Sequence, residues 1–373
     1  MLPSYIRPSR ETVLGVANTA ERLGFDSVWT NSHTVVPASF KPRYPYGDDG
    51  MPSWNAKTAW ADAMITLGFV AAATERVRLG VAVVPLITTD PVTLAKQSAT
   101  IDLLSNGRFE LGVGAGWLLE EGEALGHPTD HRQARLEETI EVLRLAWTRP
   151  TFSYNGRFVQ IPEVGVHPQP PQGERLPLWI GGQGDAAVRI AAEHGAGLFI
   201  WLQTPERVAE YGRKLRALRR GAPLAACVWT SQEERLWGGQ VRAMEEAGVD
   251  LLVVGRRYDD RQVSEIERFA SEFLQLDPLD DRRDPLAAAD AERREPVALL
   301  ALAQLVRQRE REPRARRTER MPERDRAAVD VRLVAIEAEV LLHREVLRRE
   351  RLVDFDEVHV LHLEPRALER LAR

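Results

Sequence analysis

Apolar residues at helical spacing alternate along this chain with short runs that are apolar almost throughout, and the alternation sets the expected architecture. Residues 11–23 place Val13, Leu14, Ala17, Ala20 and Leu23 on one stripe, with Gly24 placed to end the helix. Phe25-Asp26-Ser27-Val28-Trp29-Thr30 then predicts a buried strand. Helical spacing recurs over 59–74, 91–104 and 131–147, in segments that begin at Asp185, Pro205 and Gln232, and over 266–274. Asp90-Pro91 supplies an N-cap and a proline at the first helical position, and Asn106-Gly107 ends that helix. Further strands are predicted at 77–84, 108–112, 178–181, 197–201, 225–229 and 251–254, and Tyr154-Asn155-Gly156-Arg157-Phe158 predicts the turn of a small hairpin. Strands that are apolar along their length and separated by helices belong to a parallel sheet covered on both faces. The predicted fold is an α/β barrel of the TIM (β/α)8 type. Seven strands are legible, and an eighth would have to precede the first helix, where only a few residues stand before Pro8. Either the start lies late or the barrel is incomplete at its first strand; an open doubly wound sheet is the alternative.

Residues 34–55 interrupt this rhythm. With Tyr44-Pro45-Tyr46-Gly47 and Asp48-Asp49-Gly50 they carry too many prolines and glycines for regular structure, and a loop this long is expected to act as a lid. A chain of 373 residues accommodates a barrel of about 250 residues with an appendage, so residues 1–275 are assigned to the barrel and 276–373 to a charged linker and helical C-terminal appendage. That appendage begins with Asp280-Asp281-Arg282-Arg283-Asp284, passes through an arginine/glutamate run at 307–326, and has helical spacing over 328–349. A hydrophobic fraction of 44% and a charged fraction of 28% are globular values. The net charge of −5 argues against a nucleic-acid partner. Cys227 is the only cysteine, which excludes an intrachain disulfide, and His127, His131, His167 and His194 lack metal-ligand spacing, so no metal is expected. No apolar run reaches the length of a signal peptide or a membrane span, which predicts a cytoplasmic protein with no membrane partner. Lysine is scarce beside arginine, a bias that suggests an actinobacterial source.

Candidate chemistry gathers at predicted strand ends. Gly112, Gly114 and Gly116 leave no side chain between the backbone and whatever lies above the strand, a geometry that admits a flat ring or close backbone packing. Their spacing is not that of the dinucleotide fingerprint. Gly181-Gly182-Gln183-Gly184 leads from a strand into a helix, where free N–H groups and the positive helix end receive phosphate, or where an ordinary turn is made. His33 follows a strand at the expected barrel mouth, within reach of a substrate as a proton partner. Trp54, Trp117 and Trp201 are candidate substrate walls. Arg132, Arg135 and Glu138 read as helix ion pairs or barrel-bottom contacts.

Several blocks in order carry a resemblance. Gly24-Phe25-Asp26-Ser27-Val28-Trp29, Arg78-Leu79-Gly80, Asp90-Pro91-Val92-Thr93-Leu94-Ala95-Lys96, the stretch from Leu104 to Trp117, and Pro177-Leu178-Trp179-Ile180-Gly181-Gly182 together resemble the luciferase-like monooxygenases, in particular their deazaflavin-dependent branch. The resemblance implies a flavin or deazaflavin at the C-terminal ends of the strands. The cofactor would be coenzyme F420, with FMN as the alternative. It implies that Ala82 and Val83 form a cis-peptide bulge behind the ring, that Gly114, Ala115 and Gly116 adjoin it, and that Gly181, Gly182, Gln183 and Gly184 receive its phosphate. His33 would be the catalytic residue. Similar proteins usually carry an acidic residue just before this histidine; here Ser32 stands there, which leaves the imidazole without its carboxylate. Glu120 and Glu121 match the family's acidic pair. The implied activity is hydride transfer to or from a small-molecule substrate, in a possible homodimer. An FMN-dependent monooxygenase and a degenerate, non-catalytic binding or scaffolding barrel are the alternatives. Residues 332–371 faintly resemble the helical cytoplasmic tail of bacterial sodium/proton antiporters.

Overall fold

Local capping starts the first helix where the sequence places it. Ser9 Oγ accepts from Thr12 N while Thr12 Oγ1 accepts from Ser9 N, so two donors that the first turn would strand are satisfied reciprocally. The computed structural model describes residues 1–3, 5–6, 8–46, 49–229, 237–255 and 262–273. Within them, a two-residue strand β1 (Tyr5–Ile6) precedes helix α1 (Arg10–Arg22), which leads to β2 (Ser27–Thr30). There follow β3 (Ala59–Trp60), α2 (Ala63–Ala71), β4 (Arg78–Pro85), α3 (Pro91–Leu104), β5 (Phe109–Gly114) and the short α4 (Leu119–Ala124). Helix α5 (Arg132–Thr148) leads to the hairpin β6 (Phe152–Asn155) and β7 (Gln160–Val164). The chain continues through β8 (Leu178–Gly181), α6 (Asp185–Glu193), β9 (Gly197–Trp201), α7 (Pro205–Leu218), β10 (Leu224–Trp229), α8 (Trp237–Glu246), β11 (Leu251–Gly255) and α9 (Gln262–Phe273).

A seven-stranded sheet takes the order β11-β10-β9-β8-β5-β4-β2, and every pairing in it is parallel. The sheet curls until its two edges meet the N-terminus from either side. The Met1 ammonium donates to Val254 O at 2.8 Å and Leu2 N donates to Trp29 O at 2.6 Å, so Met1 and Leu2 span the gap between β11 and β2. The result is a nearly closed α/β barrel in which the place of an eighth strand is bridged by these two residues.

Alternation along each strand sorts its side chains. Trp29, Ala82, Trp179, Phe199, Ala225, Cys227 and Val253 form one cluster inside the barrel, while Val28, Leu79, Leu111, Leu178, Ile180 and Leu198 join the larger core under the helices. Two strand glycines serve the interior tryptophans. A Cβ on Gly80 would come within 2.3 Å of the Trp29 ring, and one on Gly197 within 2.3 Å of Trp179. Low in the barrel, Glu110 accepts from Trp179 Nε1 at 2.7 Å and pairs with Arg78.

The structure departs from expectation over 59–74. The helix there begins only at Ala63, because Asp62 caps it by accepting from Ile65 N at 2.8 Å, and Ala59 and Trp60 pair with β1 instead. The predicted start of α8 at Gln232, the boundary at 275/276 and the helical appendage of 276–373 lie outside the described residues.

Candidate active site

At the C-terminal strand ends the glycines leave room for neighbouring side chains. Pairing between β4 and β5 shifts register between Val81 and Val84, and the Ala82–Val83 peptide is cis. The bulge turns Val83 inward, and its neighbours must be small. A Cβ on Gly114 would fall 2.9 Å from Val83 Cγ2, one on Gly181 would fall 2.5 Å from Val83 Cγ1, and one on Gly112 would fall 2.3 Å from Val81 O. Gly116 takes φ +80° with Ile87 where its Cβ would be. These glycines therefore make room for Val83 and Ile87, and Ala115 packs against the core.

His33 lies just beyond β2 and has a carboxylate partner that its own segment does not supply. Its Nδ1 stands 2.7 Å from Glu121 Oε2, and Glu121, from α4, is fully buried. Glu121 Oε1 also accepts from Thr34 N at 2.7 Å and Val35 N at 3.2 Å. Position 32 thus needs no acid: the expectation of an unsupported imidazole is overturned by a residue 88 positions away in sequence. A carboxylate fixes the tautomer by receiving the Nδ1 proton, which leaves Nε2 as the acceptor. Glu120 clamps the same loop further on. It accepts from Lys41 N at 3.1 Å and holds Arg43 Nη2 at 2.7 Å through both oxygens.

Aromatic rings enclose the imidazole. Trp60 lies 4.7 Å from His33 between ring centroids, Trp54 4.9 Å and Trp117 6.2 Å, with Phe40 and Tyr44 packed on Trp54 and Trp117. Two of the three predicted wall residues thus meet His33. Trp201 does not: it sits at the end of β9, where the Tyr46 ring approaches it at 6.4 Å. Gln183 Nε2 donates to Trp201 O at 2.7 Å. Burial pushes the Tyr46 phenol well above its ordinary range. The loop 34–55 therefore reaches across the mouth, from Glu120 and Glu121 at one end to Trp201 at the other.

Beside Gln183, helix α6 opens at Gly184 with no side chain capping its first N–H groups, and space around Gly184 is open. Arg132 donates to Gly116 O, so this arginine belongs to the mouth and not to the barrel bottom. Arg135 pairs with Asp130, and Glu138 accepts from Arg157 N, Phe158 N and Val159 N, which pins the β6–β7 turn. Inside the barrel, burial pushes the Cys227 thiol up to about 12, so it packs as a neutral group. Among the described residues no helix is long and apolar enough to cross a membrane.

The model of the luciferase-like monooxygenase family matches residues 3–334, most of the chain. The chain belongs to that family. Among its relatives is an uncharacterized protein of Mycobacterium tuberculosis, 34% identical over 199 residues that cover 53% of this chain and 69% of that protein. Another is the F420-dependent glucose-6-phosphate dehydrogenase of Amycolatopsis mediterranei, 33% identical over 182 residues, 48% of this chain and 49% of that enzyme. The fold is shared with the coenzyme F420-dependent tetrahydromethanopterin reductase of Methanopyrus kandleri, with a TM-score of 0.55 at 17% identity over 74% of this chain and 97% of that one. The His33 cluster stands at the C-terminal strand ends, the face on which active sites of such barrels are built. Glu121, Trp60, Tyr46 and Arg132 were not singled out as site residues by spacing, since each meets its partner only through the fold.

Proposed function

We propose that this protein is an oxidoreductase that uses a deazaflavin, coenzyme F420, to transfer hydride to or from a small organic substrate at the barrel mouth. The observation that carries the reading is the His33–Glu121 pair, held at 2.7 Å and enclosed by aromatic rings at the ends of the parallel strands. F420 is favoured over FMN by the named function of the Amycolatopsis relative. The residues present suit such a group. Uncapped N–H groups at the start of α6 and the open space at Gly184 suit a phosphate, and Val83 offers an apolar surface between Gly114 and Gly181. When bound, the deazaflavin supplies the hydride acceptor or donor. The chain supplies the rest. His33 Nε2 exchanges a proton with the substrate, Glu121 keeps the imidazole in the tautomer that can accept it, and Trp54 and Trp117 exclude water. Trp201, with Gln183, would close the side nearer the phosphate.

The test is a titration of purified protein with F420 and with FMN, followed by ring fluorescence, in wild type and Gly184→Asp. Gly184 is chosen over Gly182, whose Cβ would fall 2.7 Å from that of Ala187. An aspartate at Gly184 suits the N-cap of α6, so the fold is kept, but it sets a carboxylate where the phosphate would lie. The expected result is F420 binding that weakens at least about 10-fold in the variant. Binding of FMN alone, with the reduced form consumed by oxygen, would move the reading to a flavin monooxygenase. If folded wild type binds neither ring, the oxidoreductase reading fails and a non-catalytic barrel replaces it.

A further inference from the structure

One residue beyond β9, Leu202 takes φ +47°, a left-handed conformation that bulky side chains rarely adopt, and its N–H is held by Cys227 O at 2.9 Å. Backbone strain of this kind gathers at ligand sites. Leu202 lines a cavity of about 280 Å³ together with Gln203, Pro205 at the start of α7, Val228 of β10, and Gln240 and Met244 of α8. Strand alternation separates this cavity from the mouth. Trp201 and Cys227 pack with the cluster inside the barrel, whereas Val228 and Met244 join the core under the helices. The cavity therefore lies outside the barrel wall, between the sheet and the pair α7 and α8. Val228 and Met244 are buried and the other four lining residues half-buried, so it is sunk into the structure.

We infer that this cavity is a second ligand site, and that it takes an uncharged, single-ring organic molecule carrying a carboxamide or lactam. None of the six lining residues is ionisable, so a charged ligand would lose water without gaining a counter-ion from them. Leu202, Pro205, Val228 and Met244 supply apolar surface for the ring. Gln203 and Gln240 line it from two different elements, and a glutamine carboxamide both donates and accepts. Gln203 Nε2 donates to Leu202 O at 3.3 Å, a long bond to its own neighbour that a better-placed acceptor would replace. A ligand carboxamide answers a glutamine in both senses, its C=O taking an N–H and its own N–H meeting Oε1. A carboxylate can only accept and an ammonium can only donate, so either leaves half of the glutamine unanswered. Small-molecule sites usually span about 300–1,000 Å³, and a cavity just under that range suits one ring. The site uses none of the residues assigned to hydride transfer and does not rest on that reading.

Benzamide is the probe, set beside benzoate and α-methylstyrene, which match its shape but are respectively charged and without polar atoms. Full-length protein carrying ¹³C in its methionine methyl groups gives one signal for each of the five methionines, and that of Met244 is the one missing from Met244→Leu. The expected result is a saturable shift of the Met244 signal with benzamide, binding at least about 10-fold weaker for α-methylstyrene, and no shift with benzoate. Gln203→Leu should weaken benzamide about 10-fold and leave α-methylstyrene bound as well as in wild type, with the other methionine signals unmoved. No shift of Met244 up to the solubility of benzamide, or equal binding of benzamide and either other probe, would overturn the inference. So would a Gln203→Leu protein that keeps the preference for benzamide. The three probes in wild type decide the case even where the variant does not fold. Failure here leaves the cofactor titration untouched, because the two measurements share neither residue nor ligand.

Discussion

A carboxylate removed from water needs donors for both its oxygens, and Glu121 finds three of them in one short stretch of chain. Oε2 receives His33 Nδ1, and Oε1 receives the N–H groups of Thr34 and Val35. Replacing it with glutamine tests the imidazole's role without removing bulk. The amide oxygen can keep the backbone N–H groups, but the amide nitrogen would donate to His33 Nδ1 and force the proton onto Nε2. The histidine would then present a donor where oxidation of the substrate needs an acceptor. Glu121→Gln is expected to lower the rate of hydride transfer by about 100-fold or more, measured in a single turnover, with F420 affinity by fluorescence unchanged. Loss of affinity together with rate would indicate instead that Glu121 acts by holding the loop. Nothing near His33 in sequence announces this partner; Glu120 and Glu121 read only as an acidic pair, and Ser32 pointed the other way.

Among elements, the block from Leu104 to Phe109 joins α3 to β5 and is structural where its motif looked chemical. Asn106 and Gly107 take φ of +55° and +79° to turn the chain. Arg108 then runs beneath α2: Nη2 donates to Ala71 O and Thr74 O at 3.1 and 2.8 Å, Nη1 to Val77 O at 2.7 Å, and Nε to Ser105 O at 2.7 Å. A cation on the carbonyl end of a helix is favourable, and here it also satisfies carbonyls that burial would otherwise strand. Arg108→Leu should destabilise the protein by about 3 kcal/mol, read as a lower urea midpoint, while the cofactor titration of the remaining folded protein stays as in wild type. Asp102 secures the other side of the same turn through Gln172 N at 3.0 Å and Gln172 Nε2 at 2.7 Å. The helix stop at Asn106-Gly107 was legible because left-handed turns favour those residue types. The arginine's task was not, because most of its acceptors come from residues 71–77, a distant segment of the chain.

For the whole molecule, the strand ends of β2, β4, β5, β8 and β9 form one continuous arc, and the loop 34–55 crosses it. Any ligand held by several of these ends at once ties together elements far apart in sequence, so binding should appear as global stability. At 100 times its dissociation constant a ligand bound only by the folded state contributes about 2.7 kcal/mol. F420 at that excess is therefore expected to raise the melting temperature by roughly 5 °C in wild type, with a logarithmic dependence on concentration, and by much less in Gly184→Asp. A melting temperature indifferent to F420 would contradict binding across the arc.

Sequence by itself determined most of the helices and the seven parallel strands of the barrel sheet. These follow from the spacing of apolar residues and from turn chemistry, which act over a few residues and leave a local record. The recurrence of ordered blocks also carried the family. Tertiary structure alone decided that Ala59 and Trp60 pair with β1 in place of extending α2, that Gly112, Gly114 and Gly181 make room for Val83, and that Met1 and Leu2 bridge the barrel's edges. It also decided that His33 finds its acid in Glu121 and faces the indole of Trp60. Periodicity records that a side chain turns inward, but not which distant residue it meets there. A proton partner is defined by such a meeting, within an ångström or less, and only the closed barrel brings it about.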